Sequence, residues 1–205
     1  MILVVEDNKA LRIMIKKVLE REGYSVKVAI NGKEGLSLLR DETPDLIISD
    51  VIMPEMDGLA FLKEVRKKHP FIPFTLLTVK SELDDYSRGY EFGATDYMTK
   101  PFEMDTLIKR VDKRLKSYKL IKEIVNGKEE SFSLDKVSLV DLFHTLKENK
   151  IACTINISSP LGNGTFKIDK GKIKKCEFAG LKGKDAISKV TGLKSGDVSV
   201  KLGKN

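Results

Sequence analysis

Apolar residues form short runs along the first 120 positions, and stretches with helical spacing separate these runs. Helical spacing is clearest at Leu11, Met14, Ile15 and Val18, which fall at i, i+3, i+4 and i+7. Strands and helices that alternate in this way predict a parallel sheet with helices on both faces. The runs that predict strands are Ile2–Val5, Tyr24–Ala29, Leu46–Ser49, Phe74–Leu77 and Asp96–Met98.

Polar side chains stand where four of these strands end. Glu6 and Asp7 follow the first strand, Asp50 the third, Thr78 the fourth, and Lys100 comes just after the fifth. Because the carboxyl ends of parallel strands share one edge, where ligands collect, we expect these five side chains to lie close together. Three acids, a hydroxyl and a lysine can hold a divalent metal ion and accept a phosphoryl group.

Residues 128–205 carry a different pattern and predict a smaller α+β unit. Ser138 is a candidate N-cap for a helix that reaches Asn149. Ile151, Cys153, Ile155 and Ile157 alternate with polar residues, as in a strand with one buried side. The rest of the pattern predicts a turn at Ser158–Gly164, a hairpin of Phe166–Ile168 and Ile173–Phe178, a helix over Gly183–Val190 and a strand over Asp197–Leu202.

Charge and cysteine content narrow the function classes. The net charge is +7, and residues 121–205 carry 16 lysines, no arginine and 10 acidic residues, a balance of +6. Nucleic-acid faces usually use arginine forks, so scattered lysines favour a solvated surface over nucleic acid. No signal peptide or membrane span is expected, which indicates a cytoplasmic protein. Cys153 and Cys176 predict reduced core thiols, because neither has a CxxC or histidine partner.

The helix that begins near Glu103 is longer than a five-stranded unit of this type requires. Its apolar positions follow a near-heptad spacing and fit either of two interpretations. One is a dimerising helix and hence a homodimer; the other is a stripe that docks on the sheet and on the second domain. The positions concerned are Leu107, Val111, Leu115, Tyr118, Ile121 and Val125.

Five motifs in order and spacing make residues 1–120 resemble the receiver domain of two-component response regulators. They are Glu6-Asp7, Asp50, the segment Met53–Gly58, Thr78 and Lys100-Pro101. The resemblance implies a flavodoxin-like, doubly wound sheet of five parallel strands in the order 2-1-3-4-5. It also implies that Asp50 accepts a phosphoryl group from a sensor histidine kinase or a phosphotransfer protein.

The same resemblance assigns the other site residues. Mg²⁺ is the implied cofactor, with Asp7, Asp50 and the backbone carbonyl of Ile52 as direct ligands and Glu6 acting through water. Lys100 would neutralise developing charge, since phosphoryl transfer depends on positioning and charge neutralisation. The peptide before Pro101 is expected to be cis.

A conformational switch is implied at Thr78 and Tyr97. The Thr78 hydroxyl would move to the phosphoryl oxygens, and the Tyr97 ring would rotate into the space it leaves, shifting the balance between two packings. The alternative is that Tyr97 is an ordinary core aromatic residue. The surface expected to change is Asp84–Gly93, Asp96–Met98 and the helix from Glu103.

Two residues depart from the usual receiver pattern. Ile52, two positions after Asp50, is apolar where a polar side chain could orient an attacking water molecule. Val79, directly after Thr78, is bulkier than the small residue common there. We therefore expect a slowly decaying aspartyl phosphate.

Residues 130–202 resemble the PATAN domain family, an α+β module often attached to receivers. The resemblance rests on Ser133-Leu134, Leu139, Leu142, the hairpin Phe166–Ile173 and Gly183 with Ala186-Ile187. It implies a contact surface for an unknown downstream protein. The expected domains are a receiver over 1–120, a helical extension and linker over 121–130, and a PATAN-like domain over 131–205.

Three function classes fit these features. The leading one is a response regulator whose phosphorylation switches a protein-interaction domain, with a phosphorylation-independent adaptor as its variant. The second is a DNA-binding transcriptional regulator that uses the basic C-terminal domain. Such a regulator would need a helix-turn-helix, which the sequence pattern does not predict. The third is an enzyme that acts on small phosphorylated molecules. Such an enzyme would need a carboxylate two residues after the nucleophile, and Ile52 occupies that position. We expect no enzyme activity beyond the receiver's own phosphorylation and dephosphorylation.

Overall fold

The computed structural model describes residues 1–70, 72–79, 94–127, 130–148 and 150–203, without the side chains of residues 144 and 148. The chain divides into two compact units, Met1–Leu115 and Lys116–Asn205. The predicted switch surface at Asp84–Gly93 lies outside the described residues. The domain bounds at 120 and 130 stay predictions.

The first unit is a parallel five-stranded sheet between helices. Its strands lie in the order β2-β1-β3-β4-β5, and all four neighbouring pairs are parallel. This confirms the predicted doubly wound fold. The elements are β1 Ile2–Val5, α1 Lys9–Arg21, β2 Val26–Ala29, α2 Gly32–Asp41, β3 Leu46–Asp50, α3 Gly58–Lys68, β4 Phe74–Val79, β5 Asp96–Lys100 and α4 Met104–Val125.

The apolar strands of this unit bury both of their faces. Successive side chains of a strand point to opposite faces, so Leu3 and Val5 enter one core and Ile2 and Val4 the other. Short polar caps start the helices on the two sides of the sheet. The side chains that accept hydrogen bonds from the first helical N–H groups are Asn8 for α1, Asn31 for α2 and Asp57 for α3.

The helix predicted from the spacing of Leu11, Met14, Ile15 and Val18 is present as α1. Its buried residues are Ile15 and Leu19, whereas Met14 is 46% exposed and lies on the side that faces solvent.

Helix α4 supplies side chains to both units. Leu107 and Val111 are buried in a core of the first unit, and Ile121 and Ile124 in the core of the second. The dimerising and the docking interpretations of this helix both stay predictions.

The second unit is built on an antiparallel sheet of six strands in the order β10-β9-β8-β7-β11-β6. Ser138 caps α5 as predicted, since its Oγ accepts from the Val140 N–H at 3.1 Å. Its elements are β6 Ser131–Ser133, α5 Leu139–Glu148, β7 Cys153–Ser159, β8 Gly162–Asp169, β9 Lys172–Phe178, β10 Leu181–Lys182, α6 Gly183–Thr191 and β11 Asp197–Leu202.

The turn between β8 and β9 is held tightly against the end of α5. Lys170 and Gly171 both adopt left-handed backbone angles, with φ of 47° and 73°. The Gly171 N–H donates to the Ile151 carbonyl at 3.0 Å. A Cβ on Gly171 would lie 2.4 Å from the Lys147 carbonyl oxygen, so only glycine fits this turn.

Among the described residues, no helix combines the length and the apolar character needed to cross a bilayer.

Candidate functional site

Polar side chains from three strand ends meet at one edge of the parallel sheet. Asp50 is the last residue of β3 and Lys100 the last of β5, while Glu6 follows β1 directly. The Lys100 Nζ lies 2.8 Å from Asp50 Oδ2 and 2.8 Å from Glu6 Oε2. The predicted meeting of these groups at the sheet edge is therefore present, with the lysine bridging two carboxylates.

Glu6, Asp7 and Asp50 form a compact acidic cluster. Each offers a carboxylate oxygen, and these three atoms lie within 4.8 Å of one another. Glu6 is 1% exposed and Asp50 9% exposed, whereas Asp7 is open to solvent. Hard oxygen ligands at an open edge suit Mg²⁺, which keeps several waters and binds few carboxylates. The donor set therefore fits a magnesium ion.

Burial and neighbouring charges shift two pKa values at this edge. Burial raises the pKa of Glu6, the negative charge of Asp50 adds to the rise, and the hydrogen bond from Lys100 offsets part of it. Burial lowers the pKa of Lys100, but hydrogen bonds to Asp50 and Glu6 outweigh burial and raise it overall. Lys100 therefore stays an ammonium group at neutral pH.

The backbone around Asp50 is fixed from both sides. Asp50 Oδ1 accepts from the Val51 N–H at 2.8 Å, and the Gly58 N–H donates to the Val51 carbonyl at 2.7 Å. A Cβ on Gly58 would lie 2.0 Å from the Asp50 carbonyl oxygen. The glycine of the Met53–Gly58 motif thus lets α3 begin directly against the strand that carries Asp50.

Thr78 and Tyr97 are both buried. Thr78 is 1% exposed, and its hydroxyl donates to the Val79 carbonyl at 3.3 Å. Tyr97 is 5% exposed and packs in the core that contains Leu76 and Ala94. The Tyr97 ring thus lies inside the protein in this structure, and the predicted switch roles of both residues stay predictions.

The surroundings of the site are apolar on one side. Ile52 is 62% exposed, and Val79 is 40% exposed beside a cavity of about 410 Å³. Lys100 and Pro101 also line that cavity, and the Lys100–Pro101 peptide is cis, as the resemblance implies. The other lining residues are Leu11, Met14, Phe102 and Met104.

Sequence reasoning missed Arg12, which supports the acidic pair from α1. Its Nη1 donates to the backbone carbonyls of Glu6 at 2.6 Å and of Asp7 at 2.9 Å. The Asn8 N–H also donates to Glu6 Oε1 at 3.2 Å. The available signal was an arginine one turn into the helix that follows the acids, but an arginine bound to backbone carbonyls carries no motif of its own.

In the described part of the second unit, no group of three metal-ligating side chains comes together. Cys153 and Cys176 are free, buried thiols. Burial raises the pKa of Cys153 to about 11. The Cys176 thiol donates to the Gly183 carbonyl at 3.3 Å.

Comparisons with known proteins concern mainly the first unit. A family model described as "Response regulator receiver domain" matches residues 2–112. The receiver domain of NtrX from Brucella abortus superposes with a TM-score of 0.54 and 30% identity, covering 56% of this chain and 98% of that domain.

Two curated relatives extend this result. The DNA-binding transcriptional regulator NtrC of Salmonella typhimurium is 32% identical over 166 residues, 78% of this chain. The transcriptional regulatory protein DltR of Streptococcus agalactiae is 40% identical over 121 residues, 59% of this chain. The chain spans only 35% of NtrC and 54% of DltR.

Proposed function

This chain belongs to the response regulator receiver domain family, and on that premise we propose that Asp50 accepts a phosphoryl group from a histidine kinase or phosphotransfer protein. One Asp50 carboxylate oxygen forms a bond to phosphorus as the bond between phosphorus and the donor imidazole breaks. The observation that carries the proposal is the ion pair of 2.8 Å between Asp50 and Lys100 inside the three-acid cluster.

Each neighbour of Asp50 has a part in this proposal. Asp7, Asp50 and the Ile52 carbonyl would hold Mg²⁺, with Glu6 acting through water, and the ion would neutralise charge on the phosphoryl oxygens. Lys100, kept charged by its raised pKa, would also neutralise charge on these oxygens. Thr78, whose hydroxyl donates a long hydrogen bond to the Val79 carbonyl, then turns that hydroxyl to the phosphoryl group. Tyr97 follows that movement.

We assign the output to residues 131–205 as a PATAN-like interaction domain for a downstream protein. The described part of this unit brings together no cluster of metal-ligating residues, and its two thiols are buried. We infer a signalling protein rather than an enzyme that acts on other molecules, because Ile52 stands where such an enzyme would need a carboxylate.

A DNA-binding regulator is the second candidate function. Its support is the similarity to NtrC, a DNA-binding transcriptional regulator, together with the lysine excess of residues 121–205. Retardation of duplex DNA by the full chain, strongest at low salt, would favour it.

The proposal is tested by intact-mass measurement after incubation with Mg²⁺ and a small phosphoryl donor such as acetyl phosphate. We expect the mass of one phosphoryl group on the native chain and none on Asp50→Asn. Asp57→Asn is the matched control, because Asp57 only caps α3 through the Ala60 N–H and asparagine caps equally well. Equal labelling of native protein and Asp50→Asn would refute the proposal.

A further inference from the structure

Three lysines stand in one row across the outer face of the second sheet. The strand register pairs Lys201 of β11 with Thr154 of β7, Thr154 with Lys167 of β8, and Lys167 with Lys175 of β9. Residues paired in this way point to the same side of a sheet, and the flanking inward residues are buried. We call this outward side of the four strands the lysine face.

This row is unfavourable for the isolated domain. Lys167 and Lys175 are directly opposite each other, and like charges in that position destabilise a strand pair. Among the described residues, no carboxylate forms an ion pair with Lys167, Lys175 or Lys201. An anionic partner would relieve this repulsion, whereas water only screens it.

The rest of the face is polar, hydroxyl-rich and carries the opposite charge at its far end. The next row consists of Ser131, Ser199, Asn156, Thr165, Glu177 and Lys182, the last of which pairs with Glu177. Beyond it Asp197 pairs with Ser158, about 13 Å from Lys201 along β11. These rows line a shallow cavity of about 720 Å³. The face therefore has the lysine row near one end, bordered by the Asp169–Lys172 pair, a hydrogen-bonding middle and Asp197 at the other end.

This charge pattern fits a protein better than a nucleic acid. A phosphate backbone that crossed the face would meet Glu177 and Asp197, which repel it. The described face also lacks the aromatic side chains on which single-stranded bases stack, and residues 121–205 contain no arginine. A protein surface carries both signs of charge, so it can match both ends and be oriented by them.

We propose that the lysine face binds a partner protein through an acidic segment that lies along Lys201, Lys167 and Lys175. The proposal rests on the output role proposed above and names the chemistry of that contact. Hydroxyl and amide groups of the middle row hydrogen-bond to the segment, and Asp197 sets its direction by excluding carboxylates from the other end.

The test uses the full chain and a fluorescein-labelled oligoglutamate peptide, with binding followed by fluorescence anisotropy at low ionic strength. The triple variant Lys167→Gln, Lys175→Gln, Lys201→Gln removes the row. The triple variant Lys184→Gln, Lys189→Gln, Lys194→Gln removes the same charge from exposed positions outside the row. A labelled DNA duplex is measured in parallel with all three proteins.

We expect the first triple variant to bind the peptide about tenfold more weakly and the second to change affinity less than about threefold. Equal losses in both variants, or no peptide binding by the native chain, would overturn the proposal. Tighter binding of the duplex than of the peptide, lost in the first variant, would also overturn it and assign the face to nucleic acid.

Phosphoryl uptake at Asp50 is measured on the same variants. Because the row lies outside the first unit, we expect both triple variants to be labelled like the native protein. Loss of peptide binding with intact labelling therefore separates this proposal from the proposed function of Asp50.

Discussion

The two sheets of this protein use polar residues in opposite ways. In the parallel sheet, strands that are apolar along their length bring charged groups together only at one edge, where Glu6, Asp50 and Lys100 meet. In the antiparallel sheet, one whole face is polar, and the lysines are spread over three strands. Parallel strands align their carboxyl ends at one edge, whereas antiparallel strands alternate between buried and solvated sides.

The difference predicts how each region responds to substitution. The site at the edge of the parallel sheet has buried charges 2.8 Å apart. The loss of any one of these groups should therefore impair its function. The lysine face has exposed charges several ångströms apart. Binding at this face should depend on their total charge, because each exposed charge contributes little by itself.

Substituting a single lysine should have the most different effects in the two regions. Lys100→Met removes the cation that bridges Asp50 and Glu6, and we expect the rate of phosphoryl uptake to fall about a hundredfold. Lys167→Met should weaken binding of the acidic peptide less than about threefold. Uptake by Lys100→Met at near-native rate would show that the lysine is not part of a tightly interdependent site.

Two glycine substitutions compare backbone tolerance in the two units. Gly58→Ala places a Cβ 2.0 Å from the Asp50 carbonyl oxygen, and we expect a loss of about 2–3 kcal/mol in the free energy of unfolding. Gly192→Ala meets the Lys189 carbonyl oxygen only at 3.7 Å and should cost less than about 1 kcal/mol. Denaturant unfolding measures both; similar values would contradict the tight fit around Asp50.

The contribution of Arg12 can be measured through metal affinity. Arg12→Gln removes the charged donor from the backbone carbonyls of Glu6 and Asp7, so the backbone that positions the two carboxylates loses this support. We expect Mg²⁺ to bind about tenfold more weakly, by calorimetry, since residues that orient metal ligands have effects of this size. Arg21→Gln, at the exposed end of the same helix, should leave affinity unchanged. If both variants bind Mg²⁺ alike, Arg12 has no positioning role.

A substitution at Ile52 tests whether this apolar side chain slows the loss of the phosphoryl group from Asp50. Ile52→Asn adds a polar group two residues after Asp50, and we expect the phosphoryl group to be lost several-fold faster, because the amide can orient water. Leu161→Asn in the second unit makes the same kind of change at a similarly exposed position and should have no effect. Decay of labelled protein is followed by mass; unchanged decay in Ile52→Asn would reject the idea.

The smallest expected effect is a pH dependence in the second unit. The folded state raises the pKa of Cys153 from 9.0 to about 11 because burial disfavours the thiolate. The stability contributed by the neutral thiol is therefore complete below pH 9 and is lost as pH rises towards 11. Cys153→Ala should lose stability less steeply over that range than the native chain, as measured by thermal unfolding. Parallel pH profiles would argue against a buried neutral thiol.

Much of the fold was predictable because it follows local patterns. The predicted strands Ile2–Val5 and Asp197–Leu202 have the observed bounds, and Ser138 caps its helix as expected. The pattern failed where pairing between distant strands determines the strand bounds. The strand β8 begins at Gly162, inside the predicted turn, because it pairs with β7 from that residue on. The short strand β10 was missed for the same reason, since it exists only through its pairing with β9.

The acidic site was visible in the sequence because its residues follow strand ends, and parallel topology brings those ends together. Arg12 was not visible, since its partners are backbone carbonyls, which every residue has. The lysine row was hidden for a different reason. Lys201 and Lys167 are 34 positions apart in the sequence and become neighbours in one row only through the order of β11, β7 and β8.

The turn at Gly171 has a consequence for how this protein can evolve. Every codon change that replaces glycine adds a side chain, and here any Cβ would collide with the Lys147 carbonyl oxygen at 2.4 Å. The exposed Lys172, which follows Gly171, has no such steric limit. In a population of drifting sequences, the tip of this hairpin is therefore expected to vary in its charge while its glycine stays invariant, so that selection can retune the lysine face without altering the turn that supports it.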